Sequence, residues 1–123
     1  MIKLFEENKK LATFTTIIIA IAIFIISSVP DYGQNNAGTS YISTIYHFFA
    51  FFFLQLFLLI TTTKRNTKHF LESTTISFLY ACLDELHQYF IMGRICSWSD
   101  IFADSAGILL ATFMYYKYKV NFK

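Results

Sequence analysis

The run Leu11–Val29, LATFTTIIIAIAIFIISSV, contains no charged residue. A helix needs roughly 20 predominantly apolar residues to cross the hydrocarbon layer of a bilayer, so a run of this length leaves few folds open. A secretory signal is the competing reading, because Lys9 and Lys10 precede the run. Its apolar core is too long for one, and no Ala-x-Ala-like site follows. A retained membrane helix is expected, ended by Pro30, Asp31 and Gly33, with Asp31–Ser40 as a polar loop. A second span is expected over Tyr41–Thr63, dense in Phe and Leu, with His47 as its one ionisable residue. The basic stretch Lys64–His69 follows it.

The remaining chain is less uniform. A third span falls between Phe70 and Phe90 and a fourth between Ser99 and Tyr118. Their uncharged stretches, 73–83 and 105–116, are too short to cross alone, and each becomes long enough when its neighbouring carboxylates are included. A re-entrant hairpin is the rival topology. Basic residues decide the orientation. Lys3, Lys9 and Lys10 precede the first span, Lys64, Arg65 and Lys68 lie between the second and third, and Lys117, Lys119 and Lys123 follow the fourth. With four crossings all of these fall on one side, and Arg94 alone lies on the other. The expected fold is all-α: a polytopic membrane protein with four transmembrane helices in a bundle, both termini cytoplasmic, forming one domain over residues 1–123. Tyr115, Tyr116 and Tyr118 fit an aromatic belt at the inner face.

Composition closes off other classes. Ten Lys+Arg against eight Asp+Glu give a formal charge of +2, with no basic stripe of the kind that binds nucleic acid. Cys82 and Cys96 match no metal or redox spacing. Cys82 reads as a buried free thiol, with a disulfide to Cys96 as the alternative. No cofactor motif is present; a metal site from His47, His87 and the acids is the minor alternative, with no His-Glu-x-x-His or comparable spacing to mark it.

The informative residues are those that a membrane span should lack. Asp84, Glu85, His87 and Gln88 fall in the third span, and Asp100 and Asp104 in the fourth. At 1.5 Å per residue, Asp84 lies roughly 9 Å below an outer end at Phe90, and Asp104 about 7 Å below Ser99. An aspartate at a helix centre costs about 2.5–3.5 kcal/mol on insertion scales, so these groups are expected to face the bundle interior and to pair. Asp84, His87, Gln88 and Ile91 share one helix face, with Glu85 on the next. Asp100, Ala103, Asp104, Gly107 and Ala111 form a stripe that is acidic above and small below. The third and fourth helices are expected to pack along these faces, with Arg94 folded over the acids. The acids outnumber this arginine, an excess met by protonation or by a bound cation.

Asp84, Glu85 and Asp100 are the candidate catalytic acids, read either as proton-transfer groups or as a structural ion-pair network. Arg94, Gln88, His47, His87 and Asp104 are the candidate binding residues. Arg94 is suited to a lipid phosphate or carboxylate. His47 either joins the patch from the second helix or is a hydrogen-bonded polar group inside the bundle. Ser97 is expected to cap the fourth helix, with Ser99 as competitor, and Gly107 to serve helix contact.

Asp84-Glu85-Leu86-His87-Gln88-Tyr89-Phe90, then Gly93-Arg94, Ser97, Asp100, Asp104 and Gly107, resembles the signature of the VanZ-like membrane proteins. Ser27-Ser28 with Pro30 resembles the polar end of that family's first helix, and His47-Phe48 with Leu54 its second. Two departures stand out. Ser43 and Thr44 replace an Asp-Lys pair common before the helix-two histidine, and Met92 replaces a proline. The resemblance implies a small multi-pass protein of the cytoplasmic membrane of a bacterium or archaeon, linked through the family's founding member to resistance against the glycopeptide teicoplanin. It supplies a phenotype and not a reaction.

Three functions follow as expectations. The first is a site for an envelope lipid or headgroup, with Arg94 holding an anionic group and an acid moving a proton. The second is a non-catalytic membrane partner protein, in which the patch only fixes the hairpin. The third is proton- or ion-coupled transport, which the lack of ionisable groups between the patch and Glu72 or Lys117 disfavours. A bundle of this size often associates, and nothing in the residues sets a number of copies.

Overall fold

The computed structural model of the chain describes residues 2–30, 41–61, 67–94 and 96–121. These form five helices and, among the described residues, no strand: α1 (Ile2–Glu7), α2 (Lys9–Ser27), α3 (Tyr41–Thr61), α4 (Thr67–Tyr89) and α5 (Trp98–Asn121). The polar loop expected over Asp31–Ser40, the first half of the basic stretch Lys64–His69 (residues 64–66), and Lys123 lie outside the described residues. The all-α class is as expected.

α2 and α3 are long and apolar enough to cross a membrane. α4 and α5 run unbroken for 23 and 24 residues, about 34 and 36 Å at 1.5 Å per residue, long enough to cross but, unlike α2 and α3, not apolar enough by composition to be identified as spans. Their average hydropathy is low because their polar residues point inward. Ser73, Ser77, Asp84, Glu85 and Gln88 of α4 are buried, while Leu71, Ile76, Leu79, Leu83 and Leu86 are exposed. In α5, Asp100 and Asp104 are buried, while Phe102, Leu109 and Phe113 are exposed.

α1 has no counterpart among the expected elements. Asn8 separates it from α2, and its side chain accepts a hydrogen bond from the Leu11 backbone N–H, a cap on one of the unpaired donors of the new helix. α1 lies across one end of the bundle, where Phe5 meets Phe57 edge-on at 4.9 Å. Glu6 there accepts from the Tyr115 hydroxyl (2.8 Å) and forms an ion pair with Lys119. Tyr115 is therefore buried inside this end and is not part of an aromatic belt, whereas Tyr116 is exposed. Burial alone would raise the Glu6 carboxyl, but the hydrogen bonds from Lys119 and Tyr115 and the charges of Lys119 and Lys9 outweigh it and hold the group below the usual carboxylate range.

The four long helices alternate in direction. At the α1 end, Lys9 Nζ donates to the Ile60 carbonyl. At the other end, Ser27 Oγ donates to Asp84, and Thr44 Oγ1 to Asp100. α3 and α5 share the most extensive interface, and Gly107 is the reason they fit. A Cβ there would overlap the Phe48 carbonyl oxygen and sit 3.0 Å from the Phe52 nitrogen. The small stripe of α5 thus packs on α3 rather than on α4, contrary to expectation. Its smallest residue goes where two backbones come closest, and that neighbour is α3.

Two apolar layers hold the interior, one of Ile23, Phe51, Leu54, Ala81 and Ile108, the other around Leu59, Ile60, Ala111 and Tyr115. Between them Gln55 accepts from Ser77 Oγ (2.6 Å) and donates to Thr112 Oγ1 (2.8 Å) and Thr74 Oγ1 (3.3 Å).

Candidate functional site

The end of the bundle opposite α1 holds a buried polar cluster drawn from all four long helices. His47, on the second turn of α3, is its centre. Asp104 Oδ1 lies 3.0 Å from His47 Nδ1. On the other side of the ring, Nε2 lies 3.8 Å from Glu85 Oε1 and 4.0 Å from Asp100 Oδ2. His47 and Glu85 are each 1 % exposed and Asp104 is 0 % exposed, so these groups meet with little access to bulk water. Among the described residues no Lys or Arg comes within ion-pair distance of any of these acids or of Asp84; His47 is the one basic group that does.

Both candidate acids around Nε2 are anchored through their second oxygen. Glu85 Oε2 accepts from the Ser97 backbone N–H at 2.9 Å, which satisfies an unpaired donor just ahead of α5. Asp100 Oδ1 accepts from Thr44 Oγ1 at 2.9 Å. Thr44 is one of the two positions where the chain departs from the VanZ-like pattern, and the departure falls inside the cluster. Glu85 Oε1 and Asp104 Oδ2 are buried and have no hydrogen-bond partner among the described residues.

Asp84 and Gln88 form a second wing, toward α2. Asp84 Oδ2 accepts from Ser27 Oγ and from Gln88 Nε2, each at 3.0 Å. Gln88 Nε2 also lies 3.4 Å from His47 Nε2 and joins the wings. His87 stands at the rim, half-buried, its ring stacked on Phe24 with centroids 4.7 Å apart and its Nε2 2.9 Å from Ser28 Oγ. Asp84, Glu85, Gln88, Asp100 and Asp104 converge, His47 joins them from α3, which is one of the two readings open for it, and His87 borders them.

Arg94 does not fold over the acids. Gly93 takes a φ of 79°, a left-handed turn open to glycine, and the next residue reaches back to α2. There Arg94 Nε donates to the Val29 carbonyl (3.1 Å) and Nη2 to the Ile26 carbonyl (2.9 Å). The last carbonyls of a helix have no partner within it and carry partial negative charge, which makes them competitive sites for a guanidinium. Nη1 keeps its donors unused among the described residues.

Ser97 precedes α5, as a cap should, but its hydroxyl pairs with Ser99 Oγ at 2.6 Å. Cys82 is half-buried, Cys96 is exposed, and both are free thiols with no disulfide between them. Sequence reasoning passed over Gln55 as a buried hub. An isolated amide inside a Phe/Leu-rich span was the available signal. No local spacing marks a metal site, yet one ligand-type atom from each of His47, Glu85 and Asp100 lies within 4.8 Å of the others.

No curated protein and no solved structure matches the chain significantly. A family model described as VanZ/LLP1 does, over residues 3–120. That match takes in Ser27, Thr44, His47 and the whole Asp84–Gly107 segment, from which the cluster is built, and the chain belongs to the VanZ/LLP1 family.

Proposed function

We propose that the protein crosses the cytoplasmic membrane of a bacterium or archaeon four times, with both termini inside, and that its outer-end cluster binds or modifies the headgroup of an envelope lipid. The observation that carries this reading is the inverted distribution of the bundle: ionisable groups are buried together at one end while large apolar side chains cover the outside. Water would not tolerate that surface, and lipid favours it. Polar groups inside a membrane bundle are costly and mark functional sites by default. His47 lies six residues into α3, about 9 Å from its start, the depth at which headgroups meet acyl chains. The unused Nη1 of Arg94 is available to an anionic group beside the cluster. Family membership connects such a site with glycopeptide resistance, in which a changed envelope component would be the cause.

Transport is disfavoured because the buried layer of Phe51, Ala81 and Ile108 separates the cluster from the Gln55 layer. The test is a mass-spectrometric comparison of envelope lipids in the native host, with wild type, Asp100→Asn and Arg94→Ala at equal membrane levels. A lipid species that depends on either residue supports the reading. Identical profiles in all three would sink it and leave a partner role.

A further inference from the structure

The geometry points to a divalent transition-metal site formed by His47 Nε2, Glu85 Oε1 and Asp100 Oδ2. Each of these atoms is the free end of a group whose other end is held. With His47 neutral and its Nδ1–H donated to Asp104 at 3.0 Å, the Nε2 lone pair would face the two acids. The Ser97 N–H holds Glu85 and the Thr44 hydroxyl holds Asp100, as described above. A carboxylate behind a ligating histidine and hydrogen bonds behind ligating carboxylates are the supports that metal sites use to orient their ligands.

The independent sign is Glu85 Oε1. It is buried, has no hydrogen-bond partner, and is aimed at His47 Nε2 across 3.8 Å. That separation is too long for a hydrogen bond and close to what a shared ion requires. Ligands at about 2.1 Å around a tetrahedral ion lie roughly 3.4 Å apart, so each carboxylate oxygen has to close on His47 Nε2 by about half an ångström, and the two oxygens, which lie within 4.8 Å of each other, by up to about 1.4 Å. Buried charges are paired or coordinate metals, and here the carboxylates have one imidazole and no ammonium or guanidinium among them. One imidazole with two carboxylates suits Mn2+ or Zn2+ rather than a soft ion such as Cu+. Three protein ligands leave a position open to water or to an anionic oxygen. Gln88, whose amide lies 3.4 Å from Nε2, would turn wholly to Asp84 and Ser27 when the ion binds.

The ion is measured in detergent with no lipid added, so its binding stands or falls separately from the lipid reading. The purified full chain is stripped with chelator, titrated with Mn2+ or Zn2+, desalted and analysed by elemental mass spectrometry. About one ion per chain is expected, with at least tenfold weaker retention in Asp100→Asn and Glu85→Gln, and a 10- to 100-fold loss in Asp104→Asn. Less than a tenth of an ion on folded wild type, or undiminished retention in both ligand variants, overturns the site. A second readout does not depend on ligand variants folding. Mn2+ bound to a His69→Gln/His87→Gln protein, in which His47 is the only histidine left, should still show directly coordinated imidazole nitrogen in pulsed EPR. Loss of that nitrogen signal overturns the assignment.

Discussion

Arg94 illustrates what single residues decide in this protein. It holds the last turn of α2 through two charge-assisted hydrogen bonds, a job that any cation with the right reach performs only in part. Arg94→Ala should lower stability by about 1–2 kcal/mol, and Arg94→Lys should recover less than half of that, since an ammonium lacks the planar fork. Thermal unfolding in a fixed detergent measures both. At His47 the larger effect is expected. His47→Leu leaves Asp104 buried without its donor, and loss of one partner from a buried pair costs about 3–5 kcal/mol. Folded yield from membranes would show it, and a yield equal to wild type would mean that Asp104 is protonated and carries no charge to strand. The sequence singled out the carboxylates and Gln88 that gather here, because an ionisable group in a membrane span has few places to go, but it left the place of His47 open and misplaced Arg94. It did not show their pairings. Arg94 chose helix carbonyls over acids, and Glu85 capped α5, because hydrogen-bond partners depend on the few ångströms that tertiary packing sets.

At the scale of elements, the α3–α5 contact is governed by Gly107. Between helices in lipid there is no hydrophobic drive, so close backbone approach and polar contacts supply the attraction. Gly107→Ala should destabilise by about 1–3 kcal/mol, because the methyl meets backbone atoms of α3 that cannot rotate away. Gln55→Leu should cost less, on the order of 1 kcal/mol. Thr112 retains its bond to the Ile108 carbonyl at 2.9 Å, and polar contacts inside membrane bundles average well under 2 kcal/mol. Denaturant titration of the two variants ranks them, and a larger loss for Gln55→Leu would show that the polar layer, not the glycine contact, holds the helices. The long helices were legible from apolar runs and from the charges between them. α1 was not, because its six residues carry no periodicity long enough to register. The partner of the small stripe was not legible either, since a stripe says that something approaches closely and not which helix does.

At the scale of the whole molecule, membrane orientation and the response to pH are both open to measurement. Cys96 is exposed and falls on the outer side in the proposed orientation, while Cys82 is half-buried within α4. A membrane-impermeant maleimide should label intact cells at Cys96, and Cys96→Ser should abolish that labelling. Burial, and then the Glu85 carboxylate, raise the Cys96 thiol above its ordinary value, so labelling should speed up markedly from pH 7 to pH 9. At the opposite end, Glu6 sits below its ordinary value. A depressed carboxyl contributes stability above its unfolded pKa, near 4.5, and loses it as pH falls through the folded value. The stability difference between wild type and Glu6→Gln should therefore be full at pH 6–7 and vanish in strong acid.

A headgroup site at the outer end can be tested most directly by native mass spectrometry of the protein extracted from its host's membranes, with wild type beside Asp100→Asn at matched folded yield. A lipid with a charged headgroup should be bound to wild type and lost from the variant. The same lipids in the same proportions on both would contradict it.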